Sequence, residues 1–166
     1  MPLLLREVNN IRWWDSQRNL GEEWLKEGEL RSDALKSLRS KDNKVSVFLI
    51  EDDASNLDRI LAAFAASRQE LNDVDFAIVD FEDVKPLGLE LRDDDADTPD
   101  STVNAWHRDI VHLSATKVLA LANYLQSKAH FCRRRERHIH KLIMEGIAAG
   151  HIDKGLMRTE LLKELA

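Results

Sequence analysis

The chain has 166 residues, with 24 Lys and Arg against 30 Asp and Glu, and only six Gly and three Pro. That length fits one core rather than two, and 43% apolar with 33% charged residues excludes a disordered or fibrous chain. A formal net charge of −6 argues against a protein whose whole surface attracts polyanions, while leaving room for a local basic patch.

The opening "MPLLLREV" has three leucines in a row before Arg6 and Glu7, too few for a signal-peptide core. No stretch approaches the length of a membrane span. The single Cys132 has no internal disulfide partner, which fits a reducing compartment. Together these features predict a cytoplasmic, bacterial protein without a membrane segment.

Residues 1–43 read as an irregular and helical flank, anchored by Trp13, Trp14 and Trp24, with "RSDALKSLRS" as a short helix that Ser32 can cap. "KVSVFLIE" (44–51) is a short, β-branched, nearly continuous apolar run and predicts a strand buried on both faces. From Ser55 to Gln69, Leu57, Ile60, Leu61, Phe64 and Ala65 recur at helical spacing. "FAIVDFE" (76–82) predicts a second strand, so strand, helix and strand imply a right-handed parallel βαβ unit. "PLGLEL" (86–91) alternates Leu87, Leu89 and Leu91 like a half-exposed strand.

"LRDDDADTPD" (91–100) then reads as an acidic loop, closed by a Thr98 cap and Pro99 in the first helical turn. Between Asp100 and Glu145 there is no Gly or Pro, and Val111, Ala115, Val118, Ala122, Leu125, Ala129 and Cys132 step as one helical face does. One long helix or two broken near "QSKAHF" are predicted there, followed by a "GHIDKG" turn and a final helix carrying Ile152, Leu156, Leu161 and Leu165. The expected fold is a mixed α+β single domain: flank 1–43, a small three- or four-stranded sheet with a βαβ unit over 44–92, an acidic loop 93–100, and a helical C-terminal half over 101–166.

The densest chemistry is "HFCRRRERHIHK" (130–141). His130, Cys132, His138 and His140 are able zinc ligands, yet on a helix His138 and His140 stand about 200° apart and His130 lies about 12 Å from His138, so spacing opposes one ion. As a basic face, Arg134, His138 and Lys141 fall at i, i+4, i+7 with Arg133 and Arg137 beside them, a surface able to hold phosphates or an acidic partner. The nearby aspartate run can equally neutralise it. Asp93, Asp95 and Asp97 imitate the start of a calcium loop, but Thr98 and Asn104 stand where Gly and a bidentate Glu are needed.

Acids at strand ends form the other candidate. At the rim of a parallel βαβ unit, Glu51, Asp52, Asp53 and Asp80 can converge on magnesium. "VFLIEDDASNLDRI", "AIVDFEDVKPLGLEL" and "IVHLSA" resemble parts of response-regulator receiver domains, which implies an acidic pair, a phosphoacceptor at Asp80 and a hydroxyl at Ser114. The chain departs from that family in the short interval between Asp53 and Asp80 and in lacking a later strand with its Lys. For nucleophilic chemistry, Cys132 falls on an apolar stripe, and His107, Asp109, His112 and Ser114 come without an oxyanion-type glycine turn.

The expected function is therefore that of a small non-catalytic interaction or accessory protein, acting through a helical surface toward a protein partner or a second copy, with no resident cofactor. A nucleic-acid contact through 133–141 and a magnesium-dependent acidic site are the alternatives.

Overall fold

The computed structural model describes residues 3–8, 30, 32, 34–38, 42–94 and 96–166. Trp13, Trp14 and Trp24 lie outside them, as does Asp95 of the calcium-like run. The first strand, β1 (Leu3–Glu7), is followed by a 3₁₀ turn at Ala34–Leu38 and by β2 (Val45–Ile50). Then come α1 (Leu57–Ala66), β3 (Val74–Asp80), the short α2 (Phe81–Val84), and β4 (Glu90–Asp93). The second half holds α3 (Ser101–Asn104), β5 (His107–Val111), α4 (Ala115–Lys128), β6 (His130–Arg134), α5 (Glu136–Ala148) and α6 (Thr159–Glu164).

The strands make one six-stranded sheet in the order β4-β5-β2-β1-β3-β6, antiparallel at every pairing. This corrects the small three- or four-stranded sheet expected from sequence. β2 and β3 do run in the same direction, as strands joined through α1 should, but they are not neighbours, because β1 is inserted between them and antiparallel to both. Leu4 and Leu5 point to opposite faces and both are buried, the pattern of a central strand.

The helical C-terminal half is corrected as well, since β5 and β6 both fall inside it. Val111 and Cys132 belong to strands, while Ala115, Val118, Ala122 and Leu125 of the four-and-three stepping series lie on α4 between them. Turns without glycine hide the breaks. His112 takes a left-handed φ of 55° directly after β5, Ser114 then caps α4 by accepting the Lys117 N–H, and Ala129 is extended at the far end. The acidic run ends in a cap of its own, two residues later than expected: Asp100, not Thr98, accepts the Thr102 and Val103 N–H groups at the start of α3.

Each sheet face carries its own helical cover. On one face Leu5, Phe48, Ile50, Val74 and Phe76 pack under α1, α5 and α6, with Ile60, Leu61, Ile139, Ile143 and Leu161 completing the layer. On the other, Leu4, Val47, Ala77, Val79 and Ile110 meet Leu121, Ala122 and Leu125 of α4 and the turn at Ala34–Leu38. The final helix is shorter than expected: Ile152 is buried in the preceding loop, and Leu156 lies on a 3₁₀ turn (Lys154–Leu156). No helix among the described residues is long and apolar enough to cross a membrane.

Candidate functional site

The strand-end acids do not converge. Ile50 and Asp80 both stand opposite Leu3, so β1 holds the two acid-bearing ends apart by two strand spacings, about 10 Å. Glu51 instead accepts the Ser55 hydroxyl, and Asp53 accepts the Ser55 N–H at 2.9 Å, which holds its carboxyl below the ordinary range. Buried Asn56 ties the same turn to β2, accepting the Glu51 N–H and donating to the Leu49 carbonyl. Asp52 is exposed, and Asp80 caps α2 by accepting the Glu82 N–H at 2.9 Å. Among the described residues, no group of three or more His, Cys, Asp or Glu is placed to hold a metal ion.

The basic stretch divides where β6 ends and α5 begins, so Arg134 does not share a helical face with His138 and Lys141. Arg133 lies in register with Asp75 and bonds it twice, at 2.6 and 2.8 Å, an interaction that keeps its guanidinium firmly charged. Arg134 stacks over the Phe76 ring at 5.7 Å, and Arg135 reaches Asp73 at 3.1 Å. Lys141 faces Glu145 one turn on, at 3.6 Å. Exposed Arg137 and His138 have no carboxylate within 4.0 Å among the described residues.

His107 and Asp109 sit on β5 rather than on a helix, both buried. Asp109 accepts the Ser46 hydroxyl at 3.1 Å and pairs with Lys44 at 3.2 Å, while His107 packs edge-on against Phe48. His112 and Ser114 are spent on the turn and cap already described.

A site that the sequence did not announce lies between α1 and α5, the most extensively packed pair of helices. There a cleft of about 230 Å³ opens at the surface of the helical layer. Its walls are Ala62, Leu142, Gly146, Ala149 and Ile152, with His151 beside them. Gly146 lets Ile152 close one side of the cleft, since a Cβ added there would sit 2.7 Å from Ile152 Cδ1. At its base Arg59 donates to Asp100 twice, at 2.6 and 3.0 Å, and lies 5.8 Å over the Trp106 ring. Each helix also places one carboxylate beside the opening, Asp58 from α1 and Glu145 from α5. The composition of α1 and α5 carries the residues of this cleft, but only the crossing of the two helices brings them together.

The chain matches no family model, and no curated protein or solved structure is significantly similar to it.

Proposed function

We propose that this is a cytoplasmic, non-catalytic interaction protein that engages a protein partner through the helical layer formed by α1 and α5. The observation that supports this reading is the apolar cleft between those helices, open to solvent and flanked by one carboxylate from each. Exposed concave apolar surface is where a partner's side chain gains most from leaving water. The charged groups nearest the cleft serve the fold: Arg59 is committed to Asp100, and Asp100 to the first turn of α3. The strand-end acids are likewise engaged in their own turns.

Native mass determination of protein purified gently from its own cells, beside an Ala149→Trp variant, tests the proposal. Ala149 is exposed at the mouth of the cleft, so the indole fills the space without disturbing the core. A protein-bound species in the wild type that disappears in the variant is expected. A species unchanged by the substitution would remove the cleft from the account.

A second reading has its own observation. Arg137 and His138 are exposed on the first turns of α5 without a carboxylate partner among the described residues, as a phosphate contact requires. Retardation of RNA or DNA at low salt that is abolished by Arg137→Glu would favour it.

A further inference from the structure

The same end of the molecule that carries the cleft carries the most exposed large apolar side chain among the described residues, Leu156, 64% exposed. An isolated exposed leucine needs no explanation. This one stands four residues beyond Ile152, a wall of the cleft, on a 3₁₀ turn pinned by Asp153, which turns its carboxylate back to the Gly155 N–H at 2.8 Å. Lys154 and Arg158 flank Leu156, are exposed, and form no ion pair within 4.0 Å among the described residues. The chain thus presents an apolar knob between two cations beside an apolar cleft rimmed by two carboxylates and His151, with Arg59 neutralised by Asp100 at its base.

The geometry points to a second copy of this chain as the occupant of the cleft, with Leu156 of each copy seated between α1 and α5 of the other and Lys154 and Arg158 facing Asp58 and Glu145. Rested on the interaction reading above, this names the partner. The volume suffices: an engineered cavity of about 150 Å³ holds benzene, and this cleft is about 230 Å³. Closure suffices as well. A knob and a pocket on one face are self-complementary about a two-fold axis, whereas a knob and a pocket on distant faces build open chains. The two rim carboxylates are free to exchange partners, because Asp58 is 4.0 Å from Arg134 and Glu145 is 3.6 Å from Lys141, both at exposed positions that solvent screens.

Such an interface is small, so the dimer is expected to be reversible, with a dissociation constant in roughly the micromolar range. Sedimentation of the full chain across a concentration series reads it. Leu156→Asp and Ala149→Trp should each weaken association about tenfold or more while leaving thermal melts of the dilute monomer unchanged. Glu145→Lys and Lys154→Glu should each weaken it, and the two together in one chain should recover much of the loss, which a merely structural role would not produce. A chain that stays monomeric at about a hundred times that concentration overturns the proposal, as does a dimer indifferent to Leu156→Asp. If the wild type is monomeric but binds a different protein that Ala149→Trp excludes, self-association is wrong and the interaction reading stands. If neither self-association nor any protein complex responds to Ala149→Trp, both fail.

Discussion

Arg59 grips Asp100 through a two-bond fork, Nε to Oδ2 at 2.6 Å and Nη2 to Oδ1 at 3.0 Å, and so locks α1 to the first turn of α3. Asp100 is 1% exposed and serves two tasks with one carboxylate, since Oδ1 also accepts the Thr102 and Val103 N–H groups. Asp100→Ala leaves a guanidinium unpaired against Trp106 and strips the cap, and is expected to cost about 3 to 4 kcal/mol. Arg59→Ala should leave an unpaired buried carboxylate and cost a comparable amount. Urea unfolding midpoints check both; a loss below that of an ordinary surface substitution would show that the fork contributes nothing.

The same carboxylate sets an acid limit. Burial pushes the Asp100 carboxyl up, but the Arg59 fork and the Val103 and Thr102 N–H groups outweigh burial and hold it below its ordinary value. At Asp73 the Glu136 N–H lowers the carboxyl, burial raises it, and Arg135 with Arg133 lowers it further. In both cases the unfolded chain binds protons more readily than the folded one. The stabilisation is therefore fully present above the ordinary carboxyl value of about 4 and is lost as pH falls through the lower folded values. Unfolding free energy measured from pH 7 down to pH 2 should bend downward below about pH 4, and Asp100→Asn should flatten that limb.

Burial, partly countered by the charge of Arg134, raises the Cys132 thiol above its ordinary range. Alkylation at pH 8 should run slower than for a free cysteine in the same buffer, accelerate with rising pH, and become fast in urea. Labelling at the free-thiol rate in the folded protein would contradict the packing of β6 against α1 and α5.

Two apolar residues should answer truncation in opposite ways. Ile139 is fully buried on α5, so Ile139→Ala is expected to cost about 2 to 5 kcal/mol. Leu156→Ala should shift stability by less than about 0.5 kcal/mol, since its side chain lies in water in the isolated chain. Chemical denaturation at low protein concentration separates the two.

Elements whose pattern is complete within a few residues are legible in the sequence, and those defined by distant partners are not. "VSVFLI" announces β2 because six residues alternate or run apolar within one strand, and Leu57, Ile60, Leu61 and Ala65 announce α1 through a period that a single helix completes. β1 stayed hidden because Leu3–Glu7 is too short for periodicity and its meaning comes from partners far along the chain. β5 and β6 were masked by apolar residues that continue a four-and-three step across strand, turn and helix, with His112 supplying the turn that a glycine would have marked. The cleft was illegible for another reason. Ala62, Gly146 and Ala149 are unremarkable singly, and become a site only where two helices cross. Arg133 was legible as a charge but not as a cross-strand pair, because the register with Asp75 belongs to the sheet.

The insertion of β1 has a topological consequence. Strands β4, β5 and β2 form one ribbon and β3 with β6 another, and among the described pairings the two ribbons are joined only through Leu3–Glu7. That seam is made of distant contacts, since Leu4 pairs with both Leu49 and Val79, 45 and 75 residues further along the chain. Folding governed by such distant contacts is slow, and until that seam zips, each ribbon presents a raw inner edge to other chains.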